Sequence, residues 1–338
     1  MLNLIIILQL FYALNTAASP YSEHGINGEH KTDSIAFTRV SRQTKKDPYA
    51  IVQAQCNEYS KARYIGPKKN GKPRLNCVTT RPFVVGGIPS RLKEFPHMAL
   101  IGYNDKNDNI NGVDWRCGGT LISDRYILTA AHCFSGENFT PKWVRLGELV
   151  IDDDSDRAEP KDYRIAQIIP HPQYKSPSVQ HDIMLLRLSE PVTFNSHIRP
   201  ICLYPYEVTA AAYNDSAIIT GWGKTETGEQ RSTELLKAKI DFTQNSVCAS
   251  YYSKDKVHVP NGFDSKTMLC VGDKSGRKDS CEGDSGGPLQ VPIPQWLCMY
   301  WQVGITSFGP FICGQNGVSS IYTKVSHYIP WIQAIVWP

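Results

Sequence analysis

The chain has 338 residues, of which 41% are hydrophobic and 20% charged, a balance typical of globular proteins with enough apolar material for a core. A net charge of +4, without any long block of Lys and Arg, argues against a nucleic-acid-binding protein. Beyond the amino terminus, no stretch approaches the about 18 apolar residues that a membrane span needs.

The first 18 residues, MLNLIIILQLFYALNTAA, predict a secretory signal peptide over 1–18. The apolar run from Leu4 to Leu14 is too short to cross a bilayer, and Thr16 and Ala18 suit a cleavage site. A membrane anchor is the less favoured alternative. We therefore expect a secreted, extracellular protein.

Secretion changes how the cysteines and asparagines are interpreted. The chain has ten cysteines, an even number that indicates disulfide bonds in an oxidising compartment. No CxxC pair occurs, which makes a structural zinc site improbable. Asn138 and Asn214 begin glycosylation sequons, and these are usable only on the secretory route.

Two regions of different character follow the signal peptide. Residues 19 to about 50 are polar and predict a flexible arm, and residues 56–83 have too little apolar material to fold alone. From Val84, short apolar runs such as HMALIGY, DIMLLRL and WQVGITSFG alternate with turn residues, which predicts an all-β barrel or sandwich over 84–338. Only the tail, SHYIPWIQAIVWP, has a helical pattern.

Three motifs carry candidate catalytic residues: His132 in LTAAHCF, Asp182 in HDIMLLRL and Ser285 in CEGDSGGPL. Alone, the histidine could be a core residue and the aspartate a turn residue. The glycines around Ser285 cost about 0.5–1 kcal/mol each in regular structure, and they make sense where backbone N–H groups approach a ligand. A serine nucleophile needs a base, and the base needs an orienting carboxylate.

With these motifs in the order His, Asp, Ser, residues 84–338 resemble the chymotrypsin-fold, or trypsin-like, serine proteases. The resemblance implies two six-stranded antiparallel β-barrels with a C-terminal helix. It also implies that Ser285 attacks the peptide carbonyl, that His132 transfers the proton, and that Asp182 orients His132. The backbone N–H groups of Gly283 and Ser285 would face the oxyanion.

The same resemblance places Asp279, six residues before Ser285, at the floor of the substrate pocket. An acidic floor favours cleavage after Arg or Lys, although a solvated loop charge is the alternative. Three consecutive residues would form the pocket walls: Ser307, Phe308 and Gly309. Ser320 stands where these proteases normally have glycine, so we expect slower or more selective cleavage.

VVGG resembles the mature amino terminus of these proteases, which predicts cleavage of Phe83–Val84. The new ammonium would pair with Asp284, so the uncut chain should be largely inactive, with 19–83 as a pro-segment and later a light chain. Cleavage after Arg81 would leave two surplus residues, up to about 7 Å of chain. An uncleaved linker is the alternative.

The resemblance also implies disulfide pairs. Three of them would lie within the catalytic domain: Cys117–Cys133, Cys248–Cys270 and Cys281–Cys313. Cys202 would tie this domain to the pro-segment, with Cys77 as the expected partner. That leaves Cys56 and Cys298, for which a bond to each other is one option.

FPHMALIGY and CMYWQVGITSFG resemble arthropod haemolymph proteases of the clip-domain kind, close to the snake and persephone group. Their six-cysteine clip module is not evident, because only Cys56 and Cys77 lie upstream. The resemblance implies a zymogen in an immune or clotting cascade, with a protein substrate, an activating protease and a serpin-type inhibitor, and without nucleic-acid or membrane partners. A venom or digestive protease and an inactive binding protein on the same fold are the alternatives.

The acidic run from Glu148 to Glu159 is a candidate calcium loop, because calcium prefers oxygen ligands. Its spacing does not match a calcium motif cleanly, and a solvated acidic loop is the favoured interpretation. No other metal or cofactor is expected.

Overall fold

A computed structural model describes residues 47–61, 87–104, 110–136, 139–208, 216–223, 231–272, 284–309 and 318–338. Chain contacts divide the protein into two units, Met1–Lys45 and Lys46–Pro338, and every described residue belongs to the second. The predicted signal peptide lies outside the described residues. Within the described ranges, none of the helices combines the length and apolar character that crossing a bilayer requires.

The first barrel lies entirely within the first half of the predicted domain. A short strand, β1 (Ile88–Pro89), comes before it. The barrel strands are β2 (Met98–Asn104), β3 (Val113–Leu121), β4 (Tyr126–Thr129), β5 (Pro141–Leu146), β6 (Lys161–Pro170) and β7 (Met184–Leu188). They close antiparallel in the order β2-β3-β4-β7-β6-β5. In β5, Val144 and Leu146 are buried while Trp143 and Arg145 are partly exposed, the alternation expected of a strand with one face in a core.

A second closed ring follows. Its strands are β9 (Ser216–Gly221), β10 (Leu236–Phe242), β11 (Met268–Gly272), β12 (Pro288–Pro292), β13 (Tyr300–Phe308) and β14 (Ser320–Lys324). The pairing of β9 with β10 completes the ring, while β1 pairs with β10, and β8 (Cys202–Leu203) runs parallel to β13. The prediction of two six-stranded antiparallel barrels is therefore confirmed.

Three α-helices lie in the described residues. The predicted C-terminal helix is present as α3 (Ile329–Val336), and α2 (Asn245–Tyr251) is a short connection. The sequence did not predict α1 (Pro48–Lys61), which buries only Val52 and Cys56. The Asp47 carboxylate accepts the Tyr49 N–H at 3.0 Å and caps this helix, and Pro48 suits its first turn.

Helix α1 packs against α3 and β8. The Tyr59 hydroxyl donates to the Ile122 carbonyl at 2.9 Å, and its ring contacts Phe194 edge-on at 6.2 Å. Cys56 forms a disulfide with Cys202 at the start of β8. The upstream segment is thus tied to the barrels by a covalent bond and by buried contacts.

The observed disulfides correct part of the prediction. Cys117–Cys133 and Cys248–Cys270 form as the resemblance implies. The assignment of Cys77 as the partner of Cys202 is wrong, and so is the bond between Cys56 and Cys298, because α1 brings Cys56 against β8. Cys298 is also disulfide-bonded, and its partner lies outside the described residues. The cysteines outside the described residues are Cys77, Cys281 and Cys313.

Candidate active site

His132 and Asp182 meet at one edge of the first barrel. His132 lies in a 3₁₀ turn, Ala131–Cys133, that follows β4, and Asp182 comes just before β7. Because β4 and β7 are antiparallel neighbours, the end of one strand lies beside the start of the other. His132 Nδ1 lies 2.7 Å from Asp182 Oδ2, and the His132 backbone N–H donates to Oδ1 at 2.9 Å.

Asp182 is fully buried, and two hydroxyl groups of the second barrel donate further hydrogen bonds to it. The Ser307 hydroxyl donates to Oδ2 at 2.5 Å, and the Thr323 hydroxyl donates to the Asp182 backbone carbonyl at 2.7 Å. The sequence suggested Ser307 only as a pocket wall and gave no signal for Thr323. Both contacts cross the interface between the barrels, so both barrels hold the carboxylate in place.

The environment of His132 sets its protonation. Its side chain is 31% exposed. Burial lowers its pKa, but the charge of Asp182 and the hydrogen bond to it outweigh burial, so the pKa is raised above the ordinary 6.5. A carboxylate only accepts hydrogen bonds, so Nδ1 carries the hydrogen and Nε2 is the basic nitrogen when the ring is neutral.

Ser285 is held against the His132 turn by its own backbone. Its carbonyl oxygen accepts the Gly118 N–H at 2.8 Å and lies 3.8 Å from the sulfur of Cys133, the residue after His132. The next residue, Gly286, has a φ of +80°, and a Cβ there would lie 2.1 Å from Thr129 Oγ1. Only glycine fits there, which explains one glycine of the CEGDSGGPL motif. Gly283 lies outside the described residues.

Asp284, the predicted activation residue, is partly buried in a niche made by a glycine loop. Its Oδ1 accepts the Gly223 N–H at 3.0 Å. A Cβ added at Gly221 would lie 2.0 Å from Oδ1, and one added at Gly223 would lie 2.6 Å from the carboxylate. The loop can therefore carry only glycine beside this carboxylate. Phe83 and Val84 lie outside the described residues.

The predicted pocket residues lie at neighbouring strand ends. Ser307 and Phe308 end β13, Gly309 follows, and Ser320 begins β14, where it is 1% exposed and pairs with Val271. Since Ser307 donates to Asp182, the β13 edge joins the predicted pocket to the His132–Asp182 pair. Asp279 lies outside the described residues, as do the predicted glycosylation sites Asn138 and Asn214.

The Phe308 ring packs against two other aromatic side chains. Its ring centroid lies 5.7 Å from that of Tyr252 and 4.7 Å from that of His258. The His258 Nδ1 in turn contacts the Asp255 carboxylate at 2.9 Å. The side chain at this end of β13 is thus supported by the segment that follows α2.

The carboxylates of the acidic run serve the loop itself. Asp156 accepts the backbone N–H groups of Val150 at 2.9 Å and Ala158 at 2.7 Å. At the base of the loop, the Arg145 guanidinium lies 3.2 Å from Glu148 and binds both oxygens of Asp162, at 2.8 and 3.0 Å. Arg145 thus supplies the positive charge at the point where the two ends of the loop meet.

The carboxylates of the acidic run do not gather into a group of side-chain ligands among the described residues. In the described part of the chain, the one group of three potential ligand atoms is Cys117, His132 and Cys133, and its two cysteines form a disulfide. No such group contains a carboxylate of the acidic run.

We expect Arg145→Met to lower the free energy of unfolding by about 2–3 kcal/mol, because Glu148, only 4% exposed, would lose its cationic partner. Urea denaturation measures this change. The exposed pair Lys161–Glu190 supplies the control, since Lys161→Met should cost less than about 1 kcal/mol. EDTA should leave Tm unchanged, and a rise of several degrees on adding calcium would contradict the role of Arg145.

Comparison with known proteins places the chain in a family. The Trypsin family model matches residues 84–332. The chain is 35% identical over 294 residues to serine protease snk of Drosophila melanogaster, covering 85% of this chain but just under two thirds, 65%, of that protein. It is 37% identical over 273 residues to phenoloxidase-activating factor 3 of Holotrichia diomphalia, covering 77% and 74% of the two chains.

A third relative is a venom protease of Bombus pensylvanicus, 34% identical over 249 residues, which are 73% of this chain and 96% of that protein. These relatives confirm the resemblance to trypsin-like proteases of arthropods, including the snake type. The family match also agrees with the two-barrel fold. The chain belongs to the trypsin family of serine proteases.

Proposed function

We propose that the chain is a secreted zymogen of a serine endopeptidase that cleaves after Arg or Lys. The observation that carries this proposal is the Asp182 carboxylate, fully buried and joined to His132 by two hydrogen bonds. A buried carboxylate is costly unless it is paired and hydrogen-bonded. A structural role alone does not explain why its partner is a partly exposed histidine beside Ser285.

The chemistry follows from this arrangement. The Ser285 hydroxyl attacks the peptide carbonyl while His132 Nε2 takes its proton and then gives it to the leaving amine. Asp182 keeps Nδ1 protonated and stabilises the imidazolium. The backbone N–H groups of Gly283 and Ser285 stabilise the oxyanion, and one such donor contributes about 3–4 kcal/mol to lowering the barrier.

Substrate preference and activation complete the proposal. Asp279 attracts the Arg or Lys side chain before the cleaved bond, and Ser320 narrows the pocket floor. Cleavage of Phe83–Val84 frees an ammonium that pairs with Asp284. Because Cys56 precedes this bond and Cys202 follows it, the two chains stay linked after cleavage.

The proposed setting is an extracellular activation cascade. Disulfides in the barrels and in the link to α1 favour an oxidising compartment. One relative is named as a phenoloxidase-activating factor, which supports a protein substrate and a place in a protease cascade with an activating protease. Control by a serpin-type inhibitor is part of the proposal. The bumblebee relative supports a venom protease as the second candidate.

Fluorophosphonate labelling tests the proposal. The precursor is secreted with an enteropeptidase site in place of residues 79–83, so that cleavage frees Val84. We expect a covalent adduct on Ser285 in the cut chain, and none in Ser285→Ala. A cut, folded chain that takes no label would favour an inactive binding protein.

The pH profile depends on His132, which must be neutral to act as a base. Because its folded pKa is raised, its protonated form dominates up to a pH above 6.5, and kcat/KM should fall as pH drops through that raised pKa. The stability that the His132–Asp182 ion pair gives to the fold has the opposite trend. It is fully present below the pKa that His132 has in the unfolded chain, and it is lost as pH rises through the raised pKa of the folded chain. If the acid limb of the kcat/KM profile had its midpoint below pH 6.5, the raised pKa of His132 would be contradicted.

A further inference from the structure

We propose that Glu94 and Lys237 are positioning residues that set the reach of the new amino terminus toward Asp284. This inference rests on the proposed activation before Val84. Neither side chain belongs to the His132–Asp182 site, and nothing in the motifs singled them out. They form a buried ion pair between Lys237, on the strand β10 that pairs with β1, and Glu94, in the turn that follows β1.

The pair is as buried as the core. The Lys237 and Glu94 side chains are 2% and 0% exposed, and Lys237 Nζ donates to Glu94 Oε1. The other oxygen, Oε2, accepts the Arg91 N–H at 2.9 Å. Lys237 Nζ also lies 6.0 Å from the centre of the Phe95 ring. Glu94 thus ties the turn after β1 to β10.

Stability alone does not explain such a pair. Two charges lose their hydration on burial, and well-packed apolar side chains of similar size are often as stable or more so. A buried pair can instead fix one register among several. The register here is that of β1, with Ile88 opposite Lys237 and Pro89 opposite Leu236. Slipping β1 by one residue would move Glu94 away from Lys237 and turn every side chain to the opposite face.

That register decides whether Val84 can reach Asp284. Leu236 pairs on its other side with Gly221, which touches the Asp284 carboxylate. Asp284 therefore lies two strand spacings from β1, about 10 Å. The four residues 84–87 span up to about 13–14 Å when extended, enough to cover that distance with little slack.

A slip of β1 by one residue would change the available length by about 3.4 Å, which is comparable to that slack. The ion pair is already present in the uncut chain. Because the pairing of β1 with β10 is fixed before cleavage, activation needs to rearrange only the short segment that precedes Ile88. The geometry gives Glu94 and Lys237 a role in activation without any contact with substrate.

The test uses the full precursor with the enteropeptidase site, carrying Glu94→Leu together with Lys237→Met, so that no unpaired charge remains buried. After cleavage, potassium cyanate carbamylates the Val84 amine only when it is withdrawn from Asp284. We expect carbamylation about tenfold faster than in the unchanged enzyme. The alkaline limb of kcat/KM should also shift down, toward the about 7.7–8.0 of an unpaired α-amino group.

Lys324→Met is the matched control. Lys324 is a buried lysine paired with Glu207, and it lies on β14, which is separated from β1 by β10 and β11, so its loss should leave both readouts unchanged. If the double variant is not recovered folded, Glu94→Gln together with Lys237→Met is measured in its place. This pair also leaves no charge buried, and the glutamine keeps the shape of Glu94 and can still accept the Arg91 N–H.

The outcomes separate the two proposals. Failure of the unchanged cut enzyme to label Ser285 refutes the proposed function. If the unchanged cut enzyme is labelled, but the double variant reacts with cyanate no faster than the unchanged enzyme, only the positioning role is refuted. A faster rate in the Lys324→Met control as well would also refute it, because any lost buried lysine would then have the same effect.

Discussion

Asp182→Asn is expected to lower kcat of the cut enzyme by about 10⁴-fold, the loss characteristic of this change in triads of this kind. The asparagine amide can donate where the carboxylate only accepts. The interaction at 2.7 Å would then favour the His132 tautomer with hydrogen on Nε2, so the nitrogen facing the serine could no longer take a proton. The fold should persist, because the amide keeps the size of the carboxylate.

Single-turnover and steady-state kinetics on a peptide substrate measure this loss. Thr323→Val is the control, because its hydroxyl donates to the Asp182 backbone carbonyl and not to the carboxylate. We expect that variant to lose less than about tenfold, the value of one hydrogen bond. A loss below a hundredfold in Asp182→Asn would mean that His132 is oriented by other contacts.

The pattern of the sequence predicted the strands of an all-β domain, because that signal is local, whereas the two six-stranded barrels were implied by the family resemblance. Short apolar runs bounded by turn residues recur from β2 to β14. Some of them, such as β5, alternate between buried and exposed residues, and others, such as β11 and β14, are buried throughout. The candidates His132 and Asp182 were found for a related reason. Each lies next to a strand with an apolar pattern, and β4 and β7 bring the two together.

What the sequence did not predict depends on tertiary contacts. Helix α1 has no apolar stripe, since it buries only Val52 and Cys56, and the disulfide to Cys202 spans 146 residues. No spacing rule reveals such a pairing. The resemblance implied a bond from Cys202 to the upstream segment, but Cys77, chosen there because it lies close before Val84, was the wrong partner. The helix is stabilised mainly by the surface against which it packs.

The polar contacts of the site were missed for the same reason. Ser307 and Thr323 reach Asp182 from the other barrel, 125 and 141 residues away in sequence. Arg145 was not singled out in the sequence, yet it forms ion pairs with Glu148 and Asp162 where the two ends of the acidic loop meet. Motifs therefore identify the reacting groups, whereas the groups that orient or neutralise them are found only when the strands are placed.

Asp284→Asn should hold the cut enzyme at about the activity of the uncut precursor, a loss of at least about 10²–10³-fold, comparable to removing an oxyanion donor. The carboxylate of Asp284 accepts the Gly223 N–H and fills the niche beside Gly221, and Ser285 follows it directly. An amide of the same size can fill this niche, but it cannot pair with an ammonium. The variant thus separates packing from charge.

Active-site titration before and after cleavage measures the effect, with the exposed Asp154→Asn as a matched control that should activate fully. Amino-terminal sequencing of the active chain formed from a precursor that keeps its natural residues 79–83 should read VVGG. A fully active chain beginning at Pro82 would contradict the prediction, because two extra residues would add up to about 7 Å ahead of Val84. For the amine to meet Asp284, the two extra residues would have to form a loop beside this niche, where even a Cβ at Gly221 has no room. The length of the segment and the charge of the new amine therefore both favour cleavage of the Phe83–Val84 bond alone.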